Sequence, residues 1–147
     1  ANRGAMEAGT KSVGLNVELP EVQTSNVYTT LSLTFNHFFV RKVMLVKYAT
    51  AFVIMPGGLG TLDELTEVLT LIQTQKIKPF PVVLFDSGYW QGFLDWLRNM
   101  VLAQGCISEP DLSLLRLCDE PSEVVEVVQS WYLKQAIVGR QAIARSR

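Results

Sequence analysis

The chain is expected to be an α/β protein, a Rossmann-like three-layer sandwich around a mostly parallel sheet. Three observations predict this. Short runs rich in β-branched residues recur along the 147 residues, and longer segments with helical spacing separate them. One run, AFVIM from Ala51 to Met55, is apolar on both faces, as a central parallel strand should be. Strands that alternate with helices at this spacing pair in parallel through right-handed crossovers.

Taken in order, ANRGAMEAG reads as the end of a helix turning into a strand, so a βα segment is expected upstream of it. Ser12 to Leu19 predicts a strand. TTLSLTF, Thr29 to Phe35, alternates with Leu31, Leu33 and Phe35 on one side and predicts a half-buried strand or a strand-like loop. Phe39, Val43, Val46 and Tyr48 then follow a helical period. After the strand Ala51 to Met55 comes a glycine-rich turn, and Leu62, Leu65, Val68, Leu69 and Ile72 mark the next helix. Pro81 to Phe85 predicts a strand, and Phe93, Leu94, Leu97 and Val101 a helix. Leu114 to Cys118 is a weaker strand, and a last helix starts at Pro121-Ser122-Glu123 and runs through Val124, Val125, Val128 and Trp131. Residues 1–133 are read as a single nucleotide-binding domain and residues 134–147 as a basic tail.

Composition narrows the function. With 48% hydrophobic and 18% charged residues the chain can bury a substantial core, which argues against disorder. Thirteen basic against fourteen acidic residues give a net charge of −1, so no overall positive field advertises nucleic acid. The two cysteines, Cys106 and Cys118, have no metal-ligand spacing and make no disulfide framework, and buried free thiols in a reducing cytoplasm are expected. No apolar run approaches the roughly 18 to 20 residues of a membrane span, and the N-terminal residues contain no signal-peptide core. Neither metal nor cofactor nor membrane partner is expected.

The chemistry concentrates in PGGLGTLDEL, Pro56 to Leu65, directly behind the apolar strand. In open α/β sheets ligands bind beyond the carboxyl ends of the strands, where loops lead into helix N-termini. Unpaired backbone N–H groups and the positive end of the macrodipole make such a terminus ready for an anion. Gly57, Gly58 and Gly60 allow close backbone approach, and Thr61 can add a hydroxyl. No lysine follows Gly60, which excludes a Walker A loop, and Asp63 stands where a dinucleotide fingerprint needs a small residue. The loop therefore suits a monophosphate. A plainer reading also exists: Thr61-Leu-Asp-Glu64 matches a capping box, with Thr61 as the cap and Glu64 reaching back. Capping alone requires none of the three glycines.

PGGLGTLDE also matches the PGGxGTxxE signature of the Lonely Guy (LOG) family, the cytokinin riboside 5′-monophosphate phosphoribohydrolases. FFVRKVMLVKYATAFVIMPGGLGTLDELTEVLTLIQ resembles the longer bacterial form of that family, with Arg41-Lys42 falling where its arginine–lysine motif falls. The similarity extends from ANRGAMEAG to CDEP, and the family's glycine-rich segment further upstream is not among these residues. The resemblance implies a modified Rossmann fold, a homodimer or larger assembly, and hydrolysis of the N-glycosidic bond of a nucleoside 5′-monophosphate. Members often carry the label lysine decarboxylase, but no lysine here has a recognisable pyridoxal-binding context.

The resemblance also implies roles. Glu64 would be the carboxylate near the ribose, where it stabilises oxocarbenium character and activates water. Arg41 would be the second catalytic position, orienting Glu64 or the substrate, and Lys42 would add positive charge near the phosphate or base. Asp63 is expected to favour the helix N-terminus through the dipole or, as the second alternative, to contact ribose hydroxyls. His37 is expected to be packed or on the surface, with a proton donor as the alternative, Phe35, Phe38 and Phe39 to build core or a dimer contact, and Met44 to line a base pocket. The competing function is a nucleotide- or cofactor-binding carrier or sensor on the same scaffold, without turnover.

Overall fold

The computed structural model describes residues 1–18 and 26–145, and the contacts divide them into two compact units, Ala1–Ala49 and Thr50–Arg147. Leu19, at the expected end of the first strand, lies outside the described residues.

In the first unit, α1 (Asn2–Glu7) stops because Gly9 takes φ 66°, the left-handed conformation that glycine reaches without penalty. The Gly9 N–H then bonds to the Met6 carbonyl at 3.0 Å and the Thr10 N–H to the Ala5 carbonyl at 2.9 Å, a Schellman closure that satisfies two carbonyls of the last turn. The sequence motif ANRGAMEAG therefore ends a helix, as expected. β1 (Val13–Val17) pairs in parallel with β2 (Leu31–Phe35) from Val13 opposite Leu31 to Val17 opposite Phe35. The buried Ser12 anchors the start of the pair, its hydroxyl donating to the Tyr28 carbonyl at 2.8 Å and its N–H to the Thr30 hydroxyl at 2.9 Å. α2 (Phe38–Lys47) follows.

β2 departs from its expectation. Leu31 and Leu33 are 51% and 36% exposed, so the strand is not half-buried along its apolar side. Their alternation does place both on one face, where they line a cavity of about 450 Å³ with Val13 and Leu15 of β1 and Met44, Leu45, Tyr48 and Ala49 at the end of α2. The pattern reports the face correctly, but α2 does not fill the space above it.

In the second unit β3 (Phe52–Ile54), β4 (Val82–Phe85) and β5 (Leu115–Cys118) form a parallel sheet in that order, with Phe52 opposite Val82 and Val82 opposite Leu115. α3 (Leu59–Gln73) buries Leu65, Val68 and Ile72, one stripe at helical spacing. These side chains meet Ile54, Val82, Leu84, Leu115 and Trp90 in one core. Each fully buried side chain of this kind contributes about 1.5–3 kcal/mol through removal from water. All strand pairings among the described residues are parallel, as expected of a Rossmann-like α/β fold.

α4 (Ser87–Trp96) passes directly into a π-helical segment, Leu97–Leu102, so the expected helix through Val101 is realised with a change of pitch. α5 (Glu109–Leu112) was not legible from hydrophobic spacing because it is a single turn, held by Asp111 accepting from the Ser108 N–H at 2.8 Å and hydroxyl at 2.7 Å. α6 begins at Pro121 as predicted and continues to Arg145.

Candidate active site at the carboxyl edge of the three-stranded sheet

The glycine turn leaves the carboxyl end of β3 and enters α3 earlier than the sequence suggests. Gly58 is the N-cap, with extended φ and ψ of −87° and −152°, and the helix starts at Leu59. The Gly58 carbonyl accepts from the Thr61 and Leu62 N–H groups at 3.0 and 3.1 Å. Thr61 is therefore the third helical residue and not the cap, which overturns the capping-box reading of Thr61 and Glu64. Asp63 is the fifth helical residue, and the dipole acts within the first turn, so the expected dipole role of Asp63 is also corrected.

The three glycines serve different ends. A Cβ at Gly57 would fall 2.9 Å from the Thr61 Cβ, so Gly57 is required by protein packing. Gly58 and Gly60 have only open space where a Cβ would stand. Nothing among the described residues demands glycine there, whereas a ligand approaching the first N–H groups of α3 would. Glu64 lies four residues after Gly60 and hence on the same helical face, about 6 Å further along the axis. Its side chain is half-buried and carries further interactions, as do those of Asp63 and Glu67.

Arg41 and Lys42 lie side by side on α2 in the first unit, both half-buried and both engaged. The Arg41 Nε–H donates to the Leu15 carbonyl at 2.9 Å, which ties the base of the guanidinium to β1. His37 is exposed, precedes α2 as its N-cap, and stacks on Phe39 with ring centroids 5.5 Å apart. Phe38 and Phe39 are 55% and 66% exposed, so neither is core within this chain, while Phe35 is half-buried. Met44 lines the apolar cavity beside β1 and β2.

Hydrogen bonds join the loops at this edge of the sheet. The Tyr89 hydroxyl, from the first turn of α4, donates to the Gly57 carbonyl at 2.6 Å. The Asp86 N–H donates to the Cys118 carbonyl at 3.0 Å and the Ser87 N–H to Asp119 Oδ1 at 2.6 Å. Glu123 Oε2 in turn accepts from the Asp119 and Glu120 N–H groups, which holds its carboxyl below the usual glutamate range. Burial, reinforced by the Glu123 and Asp119 charges, pushes the Cys118 thiol up. Tyr89, Asp86 and Asp119 were not singled out in the sequence. The signal was available: DSGY and CDEP each follow an apolar strand, and parallel strands bring their following loops to one edge.

This arrangement offers backbone donors for an anion and a carboxylate one turn away. Residues 1–128 match the family described as possible lysine decarboxylase. The chain belongs to this family, which includes the LOG proteins. It is 40% identical over 70 residues to cytokinin riboside 5′-monophosphate phosphoribohydrolase LOG of Oryza sativa subsp. japonica, a match covering 47% of this chain and 28% of that protein. It is 33% identical over 92 residues to the enzyme LOG1 of Arabidopsis thaliana, described in the same words, covering 62% and 42%. To the probable enzyme LOG6 of Arabidopsis thaliana it is 44% identical over 62 residues, covering 42% and 30%. The chain thus spans less than half the length of these curated relatives. The family description names a decarboxylase while the relatives are named phosphoribohydrolases, and the glycine turn of this LOG-family chain carries no lysine.

No helix among the described residues is long and apolar enough to cross a membrane, and no group of His, Cys, Asp and Glu among them could hold a metal.

Proposed function

We propose that the chain forms part of a hydrolase that cleaves the N-glycosidic bond of a nucleoside 5′-monophosphate, of AMP or cytokinin riboside monophosphate type, to free base and ribose 5-phosphate. One observation carries the reading: Gly58 and Gly60 leave open space over the N-terminus of α3, and Glu64 follows on the same helical face. A 5′-phosphate held by the turn from Gly57 to Thr61 leaves the ribose about one helical turn away, at the height of the Glu64 carboxylate. The names of the relatives supply the substrate class.

The ribose gains positive charge as the base departs, so Glu64 stabilises that charge and takes a proton from the attacking water. Arg41, its guanidinium anchored by the Leu15 carbonyl, orients the carboxylate or the leaving base, and Lys42 adds positive charge for the phosphate or base. Exposed Phe38, Phe39 and Val43 on α2 support a homodimer or larger assembly of like chains. Two free cysteines fit a reducing cytoplasm.

The test is release of free base and ribose 5-phosphate from AMP and isopentenyl-AMP by the full-length protein beside its Glu64→Gln variant. Turnover lost in the variant with nucleotide binding kept supports the hydrolase. Nucleotide binding without turnover in either protein replaces it with the carrier or sensor.

A further inference from the structure

The hydroxyl of Tyr89 reaches the carbonyl of Gly57 at 2.6 Å, the short side of the range for O–H donors. The peptide that accepts this bond runs from Gly57 to Gly58. Because a trans peptide is planar, its carbonyl and its N–H point in opposite directions. Whatever fixes the Gly57 carbonyl therefore also fixes the Gly58 N–H, the donor at the N-cap of α3. An accepted hydrogen bond also polarises the peptide and strengthens the donor at its other end.

The hydroxyl is held in place by its surroundings. The Tyr89 ring stands edge-on to Trp90 at 5.0 Å between centroids, and Trp90 is only 1% exposed within the core. Asp86 caps α4, its side chain accepting from the Tyr89 N–H at 3.3 Å. Asp86 does this at φ 85° and ψ 94°, a conformation that non-glycine residues rarely adopt. Such strain persists where the surrounding structure over-determines it, here through the Asp86 N–H to the Cys118 carbonyl and the Ser87 N–H to Asp119. The β4–α4 turn thus presents one phenol oxygen to the glycine turn. That phenol is not required by the core, since Tyr89 is 50% exposed.

We propose that Tyr89 is a positioning residue for the phosphate-binding turn: its hydroxyl orients the Gly57–Gly58 peptide so that the Gly58 N–H is preset for the 5′-phosphate. The proposal rests on the phosphate-binding role of the turn, and it does not require that the bound nucleotide be hydrolysed. Free of this bond, the peptide can rotate between strand and helix with little steric resistance, because glycine stands on both sides of it.

The experiment compares the full-length protein with Tyr89→Phe, which removes one oxygen and keeps the ring. Calorimetry measures affinity for AMP, ribose 5-phosphate and adenosine, and steady-state rates are measured with AMP. The expected result is a 3- to 10-fold weaker affinity for both phosphorylated ligands, of the order lost with one hydrogen bond, and an unchanged affinity for adenosine. KM for AMP rises by about the same factor while kcat stays within about two-fold. Unchanged affinity for AMP and ribose 5-phosphate overturns the proposal, and so does an equal loss for adenosine, which would mean a general structural role. Wild-type protein that binds AMP without cleaving it would defeat the hydrolase reading and leave Tyr89 testable by affinity alone. Wild-type protein that binds neither phosphorylated ligand would overturn both.

Discussion

The side chain of Thr61 lies against the α-carbon of Gly57, close enough that a Cβ built at Gly57 would stand 2.9 Å from the Thr61 Cβ. The contact closes the turn between β3 and α3 upon itself. Thr61 is branched at Cβ and cannot swing clear. Gly57→Ala is therefore expected to lower the thermal midpoint by several degrees, corresponding to about 1–3 kcal/mol of overpacking. Adding Thr61→Gly to Gly57→Ala should recover part of that loss. An alanine at position 57 with wild-type stability would contradict the packing described.

Gly58 and Gly60 should behave in the opposite way. Neither has a protein atom near its absent Cβ, and Gly60 lies inside α3, where alanine is favoured over glycine by about 1 kcal/mol. Gly60→Ala is expected to leave stability equal or higher and to raise KM for a nucleoside monophosphate. A variant with wild-type KM would show that no ligand approaches this backbone.

Arg41 is held through its Nε–H by the Leu15 carbonyl at 2.9 Å, a bond that lysine cannot reproduce at that position along the side chain. Arg41→Lys keeps the charge and loses the anchor. Urea unfolding should show a loss of about 0.5–1.5 kcal/mol, and kcat/KM should fall about ten-fold or more. Full activity in Arg41→Lys would remove Arg41 from the proposed machinery.

Acid stability should follow two carboxylates. The Ser108 hydroxyl holds Asp111 below its ordinary 3.8, helped by the Ser108 N–H and the Gln73 amide and opposed by burial. Glu123 is likewise held below its ordinary 4.5 by the Glu120 and Asp119 N–H groups. A carboxyl whose folded pKa is depressed stabilises the fold above its unfolded value and loses that contribution as pH falls through the folded one. Thermal midpoints measured from about pH 6 down to pH 2 should be flat at first and then drop below about pH 4. Asp111→Asn should make that drop shallower.

The two thiols should differ in reactivity. Cys106 is exposed, whereas Cys118 is buried at the end of β5 with its thiol pushed up by burial and by neighbouring carboxylates. Thiol titration with a disulfide reagent near pH 8 should modify Cys106 quickly and Cys118 only on unfolding. Rapid labelling of Cys118 in Cys106→Ser protein would show that β5 opens readily.

Most of the elements could be read along the chain because short-range physics dictates them. β-branched runs became β1, β3 and β4, the apolar run Leu114 to Cys118 became β5, helical spacing became α2, α3 and α4, and Pro121 opened α6. The glycine turn was recognisable from residue type and spacing, whereas Glu64 and the Arg41-Lys42 pair stood out through the resemblance to the LOG family. Local pattern failed where several local solutions were available. Thr61-x-x-Glu64 matches a capping box in sequence, yet Gly58 is the N-cap of α3 and its carbonyl accepts from the Thr61 and Leu62 N–H groups, which puts Thr61 inside the helix. Leu31 and Leu33 alternate correctly and still remain exposed, because burial depends on what α2 covers rather than on the strand itself. The bond from Tyr89 to Gly57 spans 32 positions in sequence and exists only because β3 and β4 lie parallel with their following loops at one edge. Spacing and residue chemistry thus determined that a glycine-rich turn follows an apolar strand and leads into a helix that carries Glu64. Which glycine serves packing, which peptide is oriented, and by which hydroxyl were decided only when the parallel sheet brought distant loops together.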